Sequence, residues 1–538
     1  MKERSEYMRK SYTWTIIIGC IGFMCINGCS GQVPVERAKN CMMEESVEAS
    51  DQVTAQASME MSEQEALSES VSEDSQENVE IVQMPEISID MCTEHRFSDD
   101  WSTETVTVTY HEISVSSEEH QELADALAAY SQGRKAQLDK KADEMNVVAQ
   151  DILDTDTDDF WGMYLETQVV TKRSDHAIYS IMELESRYGY NINQNLYYGA
   201  VFDVNTGEHL ELTDLCEDKN LFLNTIVNQC VLDLQAAYPD AKFYNSFEQK
   251  IVETIENNTP WYMDATGLTF IYPNGTIAEM ENLYDPMKAH VPYAVVEKIM
   301  KEKYLPVDSC AVTAVPVNYP VSICVDGVEK EFCIHRTYTE DYSEHISLSY
   351  GTNIISLNEY VMLEDVYLLK QESGIYLLYE IDYASDDYET FLYRFTEDSV
   401  QEMDKIWANI DDSNVNGDTF ELGFCIDVFG TYTSNQTYYI DENGKFATDE
   451  TEYTIKQSTD IKSIVNLPIE KNGKMTTLPA GSMIRIIGTD NQTKATIVIV
   501  STLEEATLYF NRNEENPYDI DINGMDQYEC FEMLPYAG

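Results

Sequence analysis

The chain has few basic side chains and a large excess of acidic ones. It contains 34 Lys and Arg against 97 Asp and Glu, a formal net charge of −63 over 538 residues. Nucleic-acid binding rests on cations that neutralise phosphates, so this balance excludes nucleic acid as a partner. A cationic protein partner, bound Ca²⁺ and simple solubility are the interpretations that the acidity leaves open.

Short catalytic motifs are absent from the sequence as well. No GxSxG, HExxH, GxxxxGK[ST] or GxGxxG occurs in it, and its eight histidines show no metal-ligand spacing. The nine cysteines after Cys29 contain no CxxC and no compact framework, so they predict neither a zinc site nor a particular disulfide pairing. We therefore name no catalytic residue and predict that the protein is not an enzyme.

The N-terminus has the features of an export signal. Lys2, Arg4 and neighbouring basic residues precede an apolar run over residues 14–26, which is shorter than the roughly 20 residues of a membrane-spanning helix. Ile26-x-Gly28-Cys29 follows and resembles the lipobox of bacterial lipoproteins. That resemblance implies that residues 1–28 are removed, that Cys29 is diacylated, and that the chain is lipid-anchored on the outer face of a bacterial membrane. An uncleaved membrane anchor is the alternative.

A tether is predicted over residues 29–95. Between Cys41 and His95 there is no Lys, no Arg and no aromatic residue, and Glu, Ser and Gln dominate. Such a segment buries too little apolar surface to offset chain entropy, so we expect an acidic, disordered linker. A weak amphipathic helix within it is the alternative.

Residues 96–305 are predicted to form an α+β domain, an antiparallel sheet with helices. Residues 105–113 alternate as a strand, and Ser116-x-x-Glu119 predicts a capping box that opens a helix with Leu123, Leu127 and Tyr130 on one face. Further predicted strands cover residues 161–171, 176–185, 197–204 and 267–272, with a turn at 172–175. Helical stripes are predicted around Phe222 and around Phe247, and a last helix over residues 291–304.

The same segment resembles the RsiV-type extracellular domain, with the segment that accompanies it in PdaC-type peptidoglycan deacetylases. The most specific stretch is Phe202-Asp203-x-x-Thr206-Gly207-x-x-Leu210-x-Leu212-x-Asp214-Leu215. Members of the family are cell-surface proteins, including a lysozyme-binding anti-sigma factor. The resemblance implies a binding or sensing module rather than catalysis. Around residues 271–293 the chain departs from the family pattern, so a family ligand surface is not carried over there.

Beyond residue 305 the pattern is rich in β-structure. Residues 361–369, 375–383, 390–395, 420–428 and 437–440 alternate or run apolar, and we divide this region into domains over 306–455 and 456–538. Leu478-Pro479-x-Gly481, followed by two apolar runs, is similar to small SH3-like barrels. The predicted fold class is therefore an α+β N-terminal domain followed by a β-rich C-terminal region that possesses a candidate SH3-like barrel at its end.

Two residue patterns are candidate ligand sites. Acidic stretches at 412–417 and 519–524 match the first half of an EF-hand loop but lack its closing Glu, so hairpin turns are favoured over Ca²⁺ and no cofactor is predicted. Tyr188, Tyr190, Tyr197 and Tyr198 cluster beside a bend and are the candidate ligand-binding residues, the alternative being that Tyr simply suits strands.

These observations predict a lipid-anchored binding or sensing protein of the bacterial cell surface. Its expected partners are the membrane, through the lipid, and a wall glycan such as peptidoglycan or a cationic wall-directed protein such as lysozyme. The alternative function is a wall-modifying enzyme with its catalytic site in the C-terminal region, where carboxylate pairs are too numerous to choose among.

Overall fold

The computed structural model describes most of the chain after residue 83. The described residues are 84–98, 103–116, 118–155, 160, 162–189, 192–257, 259–279, 286–306, 310–338, 344–359, 362–383, 387–456, 458–513, 516 and 518–536. The predicted signal segment, Cys29 and most of the predicted tether lie outside these ranges.

Helices occupy the first half of the described chain, apart from one short turn near the end. They are α1 (Gln121–Leu153), α2 (Lys219–Ala237), α3 (Phe247–Glu256), α4 (Tyr293–Val296) and α5 (Gln527–Cys530). Single 3₁₀ turns cover Glu118–His120, Leu212–Leu215 and Glu302–Tyr304.

Strands make up most of the remainder. In the first half they are β1 (Ile87–Phe97), β2 (Glu104–Val115), β3 (Met163–Asp175), β4 (Ile178–Gly189), β5 (Ile192–Asp203), β6 (Trp261–Met263), β7 (Gly267–Tyr272) and β8 (Met287–Pro292). The middle of the chain contributes β9 (Ala311–Ala314), β10 (Val321–Val325), β11 (Val328–Tyr338), β12 (Glu344–Tyr350), β13 (Asn353–Glu359), β14 (Met362–Gln371), β15 (Gly374–Asp382), β16 (Tyr388–Phe395) and β17 (Val400–Ile406).

The last third continues with short and medium strands. They are β18 (Asn409–Val415), β19 (Thr419–Asp427), β20 (Thr431–Ile440), β21 (Phe446–Ala447), β22 (Tyr453–Ile455), β23 (Ile461–Lys462), β24 (Leu467–Lys471), β25 (Lys474–Leu478), β26 (Met483–Thr489), β27 (Lys494–Ile499), β28 (Glu504–Tyr509), β29 (Asn511–Arg512), β30 (Ile520–Ile522) and β31 (Met525–Asp526). An α+β first part followed by a β-rich second part is thus confirmed.

A ten-stranded sheet connects the two parts. Its path runs β1-β2-β3-β9-β14-β15-β16-β17, with β4 and β5 added beside β3. The long helix α1 connects β2 to β3, which pair in parallel, while the other described pairs of this sheet are antiparallel. A crossover helix is what a parallel neighbour requires, and α1 covers one face of this sheet.

Four further sheets occur among the described residues: a small one pairs β29, β30 and β31, and the other three enclose most of the remaining apolar side chains. Strands β6–β8 pack against α2 and α3, burying Phe222, Phe270 and Val291 among others. Strands β10–β13 lie over β14–β17 and enclose Phe332, Tyr379 and Phe391. An eleven-stranded sheet with the path β18-β19-β20-β22-β26-β27-β28-β24-β25 forms most of the C-terminal region.

The boundaries of the predicted elements differ from the structure in several places. Disorder through residue 95 is wrong for its last part, because β1 begins at Ile87 and alternation buries Ile87 and Ile89. The predicted helix over 291–304 is also wrong: α4 stops at Val296 and a separate 3₁₀ turn follows. Residues 172–175 belong to β3 rather than to a turn.

The predicted cap and the predicted domain limits are corrected too. Helix α1 begins after His120, which makes no side-chain capping bond, so the Ser116 capping box does not form its start. Hydrogen-bonded sheets cross both residue 305 and residue 455. Within the described residues, the sheet containing β24–β28 follows an open path rather than a closed SH3-like barrel.

Candidate functional site

The Phe202–Leu215 motif has a structural role. Asp203 Oδ1 accepts hydrogen bonds from the backbone N–H groups of Asn205 and Thr206, and its Oδ2 accepts from Lys303 Nζ at 2.8 Å and from the Tyr304 hydroxyl at 3.1 Å. Gly207 has a φ of 66°, and a Cβ there would lie 2.2 Å from the backbone oxygen of Glu122 in α1. The motif therefore fixes the turn after β5 against α1.

A buried arginine joins β3 to the closing segment of the same region. Arg173 is 1% exposed and donates to Asp175 Oδ2 at 2.7 Å, to the Tyr293 hydroxyl at 2.9 Å and to the backbone oxygens of Tyr304 and Leu305. Four of its five N–H donors are thus matched by a carboxylate, a phenol and two carbonyls. This arrangement gives the guanidinium a structural role, because it joins β3 to the closing segment.

The predicted tyrosine cluster does not form one site. Tyr188 stacks on Tyr164 with ring centroids 4.9 Å apart, whereas buried Tyr197 packs with Tyr262 in a separate apolar cluster. Tyr198 lies on the opposite face of β5 and carries the Arg134 guanidinium 3.7 Å from its ring centroid. Tyr190 lies outside the described residues.

Tyr198 belongs to an ion-pair network between α1 and β4. Arg134 donates to both oxygens of Glu183 and to Glu185, and Lys141 and Arg187 also donate to Glu185. Burial by itself would raise the pKa of Glu185, but the hydrogen bonds from Lys141 and Arg187 outweigh it and lower that pKa. Because every carboxylate here has cationic partners, the network holds the helix on the sheet.

The two EF-hand-like stretches have other roles in the structure. Asn414 Nδ2 donates to the Ile89 carbonyl while its Oδ1 accepts from the Ile89 N–H, and Asn416 bonds Ile87 in the same two-way pattern. Through these side-chain amides, a segment more than 300 positions later in the chain hydrogen-bonds the backbone of β1. Asn523 and Gly524, at φ 55° and 84°, make the tight turn between β30 and β31, as the hairpin interpretation predicts.

A group of ionisable side chains gathers between the β1–β2 hairpin and the C-terminal sheet. Asn435 Nδ2 donates to Asp411 Oδ2 at 2.7 Å and to Glu421 Oε2 at 2.9 Å, and Lys456 Nζ lies 2.9 Å from the same Glu421 oxygen. Burial raises the pKa of Asp411, and burial together with the Lys456 ammonium lowers the pKa of His111 to about 4. Asn435 and Lys456 thus satisfy these carboxylates internally.

An exposed aromatic pair is the most prominent surface feature that the sequence reasoning missed. Trp407, which follows β17, is 62% exposed, and its ring centroid lies 5.4 Å from that of Tyr383, which follows β15. The Tyr383 hydroxyl donates to Glu389 Oε2 at 2.7 Å, and Lys405 Nζ lies 2.8 Å from Glu389 Oε1. We call Tyr383, Lys405 and Trp407, on their buried base Glu389, the Trp407 patch.

A weak signal for this patch exists in the sequence. Trp407 is one of five tryptophans in the chain and stands in a polar stretch, between Lys405 and the acidic residues that follow Ile410. A tryptophan with polar neighbours in sequence has few adjacent apolar side chains to pack against, which favours an exposed indole. Its pairing with Tyr383, 24 positions earlier, depends on strand order and is not visible in the pattern.

Two further features of the described residues concern metal ligands and membrane spans. Within them, no group of three or more His, Cys, Asp and Glu side chains has the arrangement to hold a metal ion. Among the helices described, none is long and apolar enough to cross a membrane.

Comparison with known proteins gives neighbours among the solved structures, two of which are described below. No family model and no curated protein matches the chain. A solved member of the DUF3298 family from Bacteroides fragilis is 14% identical with a TM-score of 0.30, covering 41% of this chain and 94% of that one. A DUF3298 family protein from Pseudomonas aeruginosa is 12% identical with a TM-score of 0.27, covering 41% and 97%. Both of these structural neighbours are DUF3298 family proteins.

Proposed function

We propose that the protein is a binding or sensing protein of the bacterial cell surface, held at the outer face of the membrane by lipid on Cys29. Its ligand is a cationic wall-directed protein such as lysozyme, with a wall glycan as the second ligand class. The charge of the part beyond the predicted tether is the observation that carries this proposal.

That part, rather than the tether, holds most of the charge. Residues 96–538 contain 79 of the 97 acidic side chains and 28 of the 34 basic ones. A field of one sign attracts an oppositely charged protein over a distance and raises its association rate. A cationic partner would therefore be drawn to the domains themselves.

The few basic side chains are largely neutralised where they stand. Arg134 and Arg173 are buried in ion pairs, and Lys303, Lys456 and Lys494 each contact a carboxylate. Such cations contribute little positive potential at the surface. A cationic partner that approaches the surface is attracted by the carboxylates, and few unpaired ammonium or guanidinium groups are there to repel it.

The resemblance to the RsiV-type domain supports the same proposal. It implies binding rather than catalysis, and the motif residues around Asp203 serve the fold in this chain. A non-enzymatic protein that reaches from its lipid anchor into the wall is consistent with both observations.

Retention of lysozyme by the immobilised full-length protein tests the proposal. We expect strong retention at low salt and weak retention at high salt, because screening shortens the reach of the charges. Purified wall is the second bait. A variant that lacks residues 41–80 is the matched control, and it should retain lysozyme as the full chain does.

Two results would contradict the proposal. One is no retention of lysozyme or wall at either salt concentration. The other is equal retention of an unrelated cationic protein of similar charge, which would reduce the interaction to charge alone. Turnover of peptidoglycan fragments that is lost on deletion of residues 310–538 would instead support the enzyme alternative.

A further inference from the structure

The Trp407 patch combines an exposed aromatic surface with a rigid base. Trp407 is 62% exposed and Tyr383 is 38% exposed, with their rings tilted by 36°. Large aromatic side chains left in water at one place mark binding surfaces more often than they mark imperfect packing. The pair stands at the rim of the apolar cluster between β10–β13 and β14–β17.

Glu389 holds the patch in one geometry. Its side chain is 3% exposed and accepts hydrogen bonds from the Tyr383 hydroxyl and from Lys405 Nζ, one on each carboxylate oxygen. Burial and the hydrogen bond to Glu389 raise the pKa of Tyr383 to about 12, so its phenol remains a donor. The position of the Tyr383 ring then sets the position of Trp407, which packs against it.

Lys405 forms a polar edge of the patch and has N–H donors available for a ligand. Its ammonium lies over the Phe391 ring at 5.4 Å from the ring centroid, and the Lys405 side chain is 52% exposed. An ammonium has three N–H donors, and the contact with Glu389 occupies one of them. Among the residues that the structure describes, the indole N–H of Trp407 has no hydrogen-bond acceptor. Two kinds of donor thus border one aromatic surface.

We propose that the Trp407 patch binds a saccharide ring. The apolar C–H face of the sugar stacks on the indole, while hydroxyl, N-acetyl or carboxylate oxygens accept hydrogen bonds from Lys405 and from the indole N–H. The chemistry therefore selects a neutral or acidic sugar, such as an N-acetylated wall saccharide.

This site deepens the second ligand class of the proposed function, a wall glycan, on which it rests, and it is independent of the capture of a cationic protein. Stacking on an aromatic ring and hydrogen bonds at short range are little affected by salt, unlike long-range attraction between net charges. The two modes of binding are therefore separable in one protein.

Titration of the full-length protein with soluble oligomers of β-1,4-linked N-acetylglucosamine and with soluble peptidoglycan fragments tests the proposal. We expect Trp407→Ala to weaken binding about tenfold or more, Trp407→Phe to lose less, and Lys405→Met to lose a few-fold, most for acidic fragments. Isothermal calorimetry measures the affinities, and thermal unfolding verifies that each variant is folded.

Leu503→Ala is the matched control, since Leu503 is 80% exposed and lies in the loop before β28. It should bind saccharide as the unchanged protein does. No saccharide binding by the unchanged protein, or equal affinity of Trp407→Ala, would overturn the proposal. Loss of lysozyme retention in Trp407→Ala without any saccharide binding would also overturn it and assign the patch to a protein contact.

Failure here is distinguishable from failure of the proposed function. Salt-sensitive retention of lysozyme that Trp407→Ala leaves unchanged supports the surface-capture role whatever the saccharide result. Saccharide binding that depends on Trp407 supports the patch whatever the lysozyme result.

Discussion

The ten-stranded sheet is covered in two different ways along its length. Where α1 packs on β2 and its side chains reach β4, the interface contains Arg134, Glu183 and Glu185, all buried and paired. Where β10–β13 lie over β14–β17, it contains stacked aromatic rings, such as Tyr379 on Phe391 at 5.0 Å. A helix can present long cationic side chains to carboxylates on strands, whereas two facing sheets bring apolar and aromatic side chains together.

This difference explains where ionisable groups lie in the two parts of the ten-stranded sheet, the helix-covered half and the sandwich half. Under α1 they are enclosed because each carboxylate finds a cation from the helix. In the sandwich they are displaced to the rim, where Glu389 pairs with Lys405 beside Trp407. The helix-covered half therefore uses charge for cohesion, and the sandwich half leaves an aromatic and polar rim available for binding.

The strongest test of the helix-covered half is Arg134→Met. Removing the guanidinium leaves Glu183 buried without its main partner, so we expect a loss of about 3–5 kcal/mol in the free energy of unfolding. Urea denaturation measures it. Lys140→Met on the same helix is the control, because Lys140 and Glu144 form an exposed pair worth less than about 0.5 kcal/mol. Equal losses in the two variants would contradict the comparison.

Asn414→Ala tests the link between the halves. Its amide satisfies both the N–H and the carbonyl of Ile89 in β1, and its loss should lower the free energy of unfolding by about 1–3 kcal/mol. Asn416→Ala should lose less, because its contact with the Ile87 N–H is 3.4 Å long and partly exposed. Hydrogen exchange of β1 amides reports the local effect, and unchanged protection would refute the linkage.

Acidification should affect Glu185 and Asp411 in opposite directions. The pKa of Glu185 is lowered in the folded state, so its stabilisation is present above the unfolded pKa of about 4.3 and is lost as pH falls. The pKa of Asp411 is raised by burial, so the folded state is favoured at low pH and loses stability as pH rises. Glu185→Gln should thus be most destabilising near pH 7, where Asp411→Asn should be most favourable.

Urea denaturation at pH 4 and pH 7 checks both variants. The unfolding free energies of Asp411→Asn and the unchanged protein should converge towards pH 4. Those of Glu185→Gln and the unchanged protein should converge only below the unfolded pKa of about 4.3, which a further measurement at about pH 3 checks. If each variant differed from the unchanged protein by the same unfolding free energy at every pH, the opposite pKa shifts of Glu185 and Asp411 would be contradicted.

Trp407→Ala should have the smallest effect on stability. An exposed side chain contributes little to the core, so we expect a change within about 0.5 kcal/mol in the free energy of unfolding. Phe391→Ala, directly inside the rim, should lose about 3–5 kcal/mol. A large loss in Trp407→Ala would assign the indole a role in packing and remove the contrast between rim and interior.

Much of the fold could be predicted because periodicity reports burial. Leu123 and Leu127 lie on the buried face of α1, and Phe222 and Ile226 on that of α2, as their spacing predicts. The candidate site could not be predicted in the same way. Tyr197 and Tyr198 are adjacent in sequence, but successive side chains of a strand point to opposite faces of the sheet. The two rings therefore lie on opposite faces of β5.

The sequence by itself determined the local elements and the charge. Apolar spacing specifies which face of each helix and strand is buried, and the composition makes the molecule strongly acidic. Tertiary structure alone decided which strands neighbour one another, because pairing depends on packing between distant segments. That order places Asn414 beside β1 and Trp407 beside Tyr383, and it separates the buried ion pairs under α1 from the aromatic patch at the rim.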